Sequence, residues 1–136
     1  MSSSERSHGR NALPTLLMAL FVVMIGFGVT LPVLPFFTER LVRADGESRD
    51  SIAFHVGMLT AIYALMQFVM APVWGRWSDT IGRRRLMLTG IAGAMASQFL
   101  FAVSTSLWLL YLARTAGGIL SSALFPAAAA YIADVT

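Results

Sequence analysis

The eleven residues from Gly75 to Arg85, GRWSDTIGRRR, stand between two long apolar runs and carry four of the chain's ten arginines beside the acid Asp79. Each Arg or Asp at bilayer depth costs roughly 2.5 to 3.5 kcal/mol on insertion scales, so such a run belongs at a membrane face, where it reads as a loop. Positive charge is retained on the cytoplasmic side, so Arg76, Arg83, Arg84 and Arg85 assign this loop to the inside and orient every span around it. Gly75 and Gly82 flank the reversal, where a chain turning between packed helices needs small residues.

The composition fits the same class: 57% of residues are hydrophobic, only 12% are charged, and the mean hydropathy is +0.70. The absence of cysteine removes disulfides and thiolate metal sites. The net charge of +3 comes from arginine alone, in clusters at the ends of apolar runs. That distribution argues against a continuous nucleic-acid-binding face.

Residues 1–12 read as a short, disordered cytoplasmic tail. The first span is 13–37; its 25 apolar residues are too long for a signal-peptide core and cover roughly 37 Å, enough to cross a ~30 Å hydrocarbon layer with tilt. Pro32 and Pro35 in its outer half bend the helix, as packing kinks or as a cavity-lining bend. An outer loop is expected at 38–51, solvated and without chemistry. A second span follows at 52–74, the charged loop at 75–85, a third span at 86–104 and a fourth at 107–133, giving an all-α polytopic membrane protein with four transmembrane helices.

Within the second span, Gly57, Ala61 and Ala64 offer a small-residue face for a partner helix. Gln67 is the strongly polar side chain at mid-depth, readable as helix–helix glue or as a substrate contact. His55 stands near the outer surface as a lone, wetted histidine, and no group at ligand spacing suggests a metal. The third span, rich in glycine and alanine, reads as a tightly packed support helix. Its short connection to the fourth makes the two antiparallel neighbours, with Trp108 and Tyr111 as interfacial aromatics. Arg114 lies seven residues into the fourth span, roughly 10 Å deep, where an ionisable group either snorkels or faces a wet cavity and a partner.

Gly75, Ser78, Asp79, Gly82, Arg83 and Arg84 resemble the signature between spans two and three of the major facilitator superfamily, with Trp77 and Thr80 replacing a usual Leu and Arg. From His55 to Asp79 the chain is similar to bacterial tetracycline–proton antiporters, and the later L-W-x-L-Y and A-Y-I-A-D-x-T segments extend that likeness. Gly26 through Pro35 resembles the first span of drug–proton antiporters. Arg114 and Gly118 resemble the fourth-span R-x-x-x-G signature, in which the arginine is linked to proton coupling. A departure falls near Val23, where those antiporters generally carry an acid.

The resemblance implies part of the N-terminal half of a fold built from two six-span halves, in the inner membrane with a cytoplasmic N-terminus. The chain would supply spans one to four and lack its C-terminal partners, as a truncated piece. It implies alternating access driven by protons, with no cofactor, no enzymatic step and no nucleic-acid partner. The substrate would be a drug-like amphipathic molecule, a bulky cation by this reading, in a cavity lined by side chains such as Phe21, Met24, Phe27, Tyr63 and Met66. Gly75, Asp79, Gly82, Arg83, Arg84 and Asp134 would form a conformational switch; Arg114, Gln67, Pro32 and Tyr63 would serve coupling and the cavity. Two other readings are a four-span drug antiporter acting as a dimer, which needs a membrane carboxylate, and a non-transporting membrane fragment. No Asp or Glu lies between Asn11 and Phe37.

Overall fold

In the computed structural model, which describes residues 3–126 together with 129 and 133, four helices follow one another. They are α1 (Ser3–Ala44), α2 (Arg49–Ile81), α3 (Arg83–Ala102) and α4 (Leu107–Ser121). Four segments are long and apolar enough to cross a membrane: Leu17–Ala44, Arg49–Ile81, Arg83–Ala102, and Leu107–Pro126, which runs past the end of α4. The apolar side chains turned outward, among them Phe36, Phe68, Phe99 and Trp108, suit a hydrocarbon surround.

The helices outrun the apolar stretches that mark them in the sequence. Residues 3–12, expected as a disordered tail, continue α1 backwards, and the polar stretch from Thr38 carries it on to Ala44. At 42 residues α1 is ~63 Å long, about twice the thickness of a hydrocarbon core. Hydropathy reports where lipid ends, whereas a helix ends where its backbone hydrogen bonds stop, and polar side chains do not stop them. The 38–51 loop therefore shrinks to residues 45–48, where Gly46 turns the chain at φ +75°. Likewise most of the 75–85 loop is the last turns of α2, and Gly82 alone separates α2 from α3. Gly82 takes φ +96°, a left-handed conformation disfavoured for a residue with Cβ, and its N–H caps Ser78 O.

Packing is tightest between α4 and its neighbours α2 and α3. A Cβ on Gly118 would stand 2.6 Å from Tyr63 O and 2.8 Å from Met66 Cβ, so glycine lets the α2 and α4 backbones touch. Gly90, Ala94 and Ser97 of α3 are buried, as expected of a support helix. The small face of α2 is different: Gly57, Ala61 and Ala64 are exposed, and nothing among the described residues meets a Cβ at Gly57. Small residues at helical spacing permit close approach without specifying which helix approaches.

Two apolar clusters close the bundle. One, near the α1–α2 and α3–α4 connections, gathers Leu34, Leu41, Leu59, Phe101, Leu110 and Ala113. The other packs Leu86 and Ala123 with Trp74 and Met87, near Gly82. Trp74 Nε1 donates to Ile119 O at 2.8 Å, satisfying a carbonyl of α4's last turn. Beyond Ser121 the chain turns at 122–123 before resuming as helix at 124–126. Pro126 has no N–H for Ser122 O, and its ring crowds that carbonyl, so the break falls there.

Candidate functional site

Between the two clusters lies a cavity of about 620 Å³. α1 contributes Val22, Val23, Met24, Gly26 and Phe27; α2 contributes Tyr63 and Gln67; α3 contributes residues from Ala94 to Phe99; Arg114, Ser121, Leu124 and Phe125 complete the wall. The lining is largely apolar, with a few convergent polar side chains, the usual character of a small-molecule site.

Arg114 is 5% exposed. Its guanidinium carbon lies 5.1 Å from the Phe101 ring centroid and 5.5 Å from that of Tyr63, so two aromatic faces shield it. A desolvated cation–π contact contributes about 2 kcal/mol, which offsets part of the cost of placing a cation at this depth. Nε and Nη2 are buried without a hydrogen-bond acceptor among the described residues. The side chain lies within the bundle rather than on its surface.

Beside it, Tyr63 Oη and Ser121 Oγ are 2.8 Å apart, and Gln67 Nε2 donates to the same Ser121 oxygen at 3.5 Å. Gln67 is thus both glue between α2 and α4 and part of the cavity wall. Phe27 packs on Tyr63 with ring centroids 5.4 Å apart. Met24, Phe27 and Tyr63 line the cavity as expected, but Phe21 is 63% exposed and Met66 lies outside the lining. Pro32 is also outside: it is exposed on α1, one turn and a half beyond Phe27. Its sequence position in the outer half of the helix placed it past the cavity.

Sequence reasoning passed over Gln98. Its Nε2 donates to Thr30 Oγ1 at 2.7 Å and to Gly26 O at 3.0 Å, while Thr30 Oγ1 itself donates to Gly26 O at 2.7 Å. This polar clasp fastens α3 to α1 at the cavity wall. The available signal was a lone amide inside a small-residue helix, the same signal that singled out Gln67.

At the Gly82 end, Gly75 is half-buried, Asp79, Gly82 and Arg84 are exposed, and Arg83 is half-buried. Ser78 is buried within the same turn. Asp134 lies outside the described residues, so the expected switch is represented by its α2–α3 members alone. The cavity bears on the substrate's charge as well. Among its described lining residues the one permanently charged group is Arg114, a cation, which runs against a bulky cationic substrate.

Four apolar spans around this cavity, with a cation buried in its wall, describe a polytopic membrane protein. The chain belongs to the Major Facilitator Superfamily, whose family model matches residues 16–136. It is 42% identical to the class C tetracycline resistance protein of Escherichia coli over 93% of this chain and 30% of that protein. It is 43% identical to the class D tetracycline resistance protein of Salmonella ordonez over 88% of this chain and 29% of the relative. It is 31% identical to multidrug resistance protein 2 of Bacillus subtilis over 89% of this chain and 28% of the relative. The chain thus spans about 30% of the length of these curated relatives.

Proposed function

We propose that this chain supplies the first four spans of a secondary exporter of drug-like molecules, working by alternating access with proton influx as the driving force. The observation that carries the reading is the cavity itself: about 620 Å³, walled by all four helices and holding a buried, acceptor-poor arginine. The likeness to tetracycline and multidrug resistance proteins supports the direction of transport and the substrate class. Transport of this kind requires no covalent change in the substrate.

In the mechanism we infer, Arg114, Tyr63 and Gln67 face the substrate, and the Gly75–Arg85 segment opens and closes the cytoplasmic end. An intramembrane cation whose donors lack acceptors is a poised group: it gains energy from whichever anion reaches it in one conformation and not the other. A carboxylate that alternates between a proton and Arg114 would couple the two fluxes. No Asp or Glu lies in the described residues between Ser51 and Ser78 or between Thr80 and Pro126, so that carboxylate would come from elsewhere in the assembled transporter.

The test is efflux from a bacterial host stripped of its own drug exporters and expressing the full-length encoded protein. Retention of a fluorescent amphipathic drug and of tetracycline should fall below the empty-vector level, and a protonophore should abolish the difference. Equal retention with and without the protein would overturn the exporter reading.

A further inference from the structure

Resting on that reading, we infer that Tyr63 is a positioning residue for Arg114: its hydroxyl, anchored on Ser121, holds the ring over the guanidinium and so fixes the direction in which the arginine meets its carboxylate partner during transport.

The contacts that carry this come from three helices. Arg114 and Ser121 stand seven residues apart on α4, a spacing that puts both on one face. Tyr63 of α2 reaches both, with its hydroxyl 2.8 Å from Ser121 Oγ and its ring centroid 5.5 Å from the guanidinium carbon. Glycine makes the room. A Cβ at Gly117 would stand 3.2 Å from Tyr63 Cε2 and one at Gly118 2.6 Å from Tyr63 O, so the two positions between Arg114 and Ser121 seat the ring and backbone of Tyr63 against α4. On the α1 side Phe27 packs on the same ring, with centroids 5.4 Å apart.

The two aromatic faces on Arg114 are not equivalent. Phe101 belongs to the apolar cluster of Leu34, Leu59 and Leu110 and packs on Phe37, so close packing sets its orientation. Tyr63 is half-buried and lines the cavity, so packing leaves it freer to turn and the bond to Ser121 restrains its far end. Cation–π attraction acts over the face of a ring. Losing the anchor therefore loosens Arg114 while its charge stays in place. A guanidinium meets a carboxylate through a planar fork, so its worth as a coupling partner depends on direction as well as charge. Gln67 Nε2 donates to the same Ser121 oxygen, but at 3.5 Å, a weaker contact than the one from Tyr63.

The test uses the full-length encoded protein in proteoliposomes and radiolabelled tetracycline. Two rates are measured on each preparation: uptake driven by an acid lumen, and exchange of labelled for unlabelled tetracycline with no gradient. Exchange needs binding and the conformational cycle but no net proton movement, so the ratio of driven uptake to exchange reports coupling and cancels any loss of active protein. Tyr63→Phe and Ser121→Ala should each lower that ratio by about two- to tenfold, the range expected for one hydrogen bond. The double variant should fall no further than the stronger single one, because both remove the same bond. Tyr63→Leu, which removes the ring as well, should fall furthest. Should Ser121→Ala fail to fold, Tyr63→Phe decides alone. An unchanged ratio in the single variants, even with both rates reduced, overturns the proposal and confines Tyr63 to packing. A fall in one single variant and not the other also overturns it, since the effect would then run through Gln67 or through the hydroxyl without Ser121; so do additive losses in the double variant. Absence of driven uptake by the wild-type protein overturns the role of Tyr63 as well, and the drug-retention assay above then decides separately whether the exporter reading stands.

Discussion

His55 Nδ1 stands 2.9 Å from the Tyr111 hydroxyl, joining α2 to α4 at the end of the bundle that carries the α1–α2 connection. The other ring nitrogen, Nε2, is 3.1 Å from Glu47 in that connection. With its proton on Nε2 the imidazole donates to Glu47 and accepts from Tyr111, so one side chain ties three segments together. Read as a wetted residue in the sequence, His55 is instead 17% exposed at its side chain, because its partners come from 56 residues downstream and 8 upstream.

Removing either end of the helix-to-helix bond should cost about 0.5–1.5 kcal/mol. His55→Phe and Tyr111→Phe should each lower the thermal midpoint, and the double variant should lose less than the sum. Strict additivity in that cycle would show that the two side chains do not interact.

The Glu47 carboxyl is held below its ordinary value of 4.5 chiefly by the hydrogen bond from His55. A depressed folded pKa means the contribution is complete above 4.5 and is lost as pH falls through the lowered value. Glu47 is exposed to solvent, so the effect is small. Glu47→Gln should therefore unfold at a slightly lower temperature than wild type near pH 6, with the gap closing as pH falls below 4.5 toward 3. A gap constant across that range would dissociate Glu47 from the pH dependence.

Much of this architecture was legible because charge and hydropathy alternate sharply along the chain. The Gly75–Arg85 signature marked the family, and the position of Arg114 in its span marked a charge that lies inside the bundle. The helix ends were not legible, since Thr38 to Ala44 and Gly75 to Ile81 change their solvent without losing their backbone ladder. Partner choice was also hidden: Gly57, Ala61 and Ala64 show the same spacing as faces that pack, yet the close approach uses Gly118. Gln98 escaped notice and His55 was read as a lone residue because their meaning lies in partners 68 and 56 residues away.

Gly118→Ala tests that close approach. The added Cβ would meet backbone at 2.6 Å, and backbone of a packed helix cannot turn aside as a side-chain end can. Overpacking of this kind costs about 1–3 kcal/mol. Gly93→Ala is the comparison, because the atoms nearest its Cβ belong to the Leu120 side chain, with Cβ at 2.6 Å and Cγ and Cδ1 at 3.0 Å, rather than to backbone. The expected result is a larger fall in thermal midpoint for Gly118→Ala; a larger fall for Gly93→Ala would show that the α3–α4 contact is the stiffer one.

Replacement of Arg114 by alanine separates coupling from folding. Under the proposed mechanism, the full-length protein bearing Arg114→Ala should reach the membrane in normal amount yet lose efflux against a concentration gradient. Efflux at the wild-type rate would confine Arg114 to packing between Tyr63 and Phe101.

The clasp at Gln98 predicts control of access to the cavity from α1. α1 meets α3 through few contacts, and Gln98 supplies two hydrogen bonds to Thr30 and Gly26 at the cavity wall. Gln98→Leu keeps the side-chain bulk but removes both donors; Gly26 O retains its bond from Thr30, so the unsatisfied remainder is small and the fold should survive with a loss of about 1–2 kcal/mol. What changes is the restraint on α1. A cysteine at Val23, which lines the cavity, would report it through its rate of modification by a membrane-permeant thiol reagent, with any cysteine outside residues 1–136 replaced, since these residues contain none. In the Gln98→Leu background that rate should rise several-fold over the Val23→Cys parent, and Thr30→Val, which removes one of the two acceptors, should raise it by less. An unchanged rate in Gln98→Leu would mean that apolar contacts alone hold α1 against the bundle.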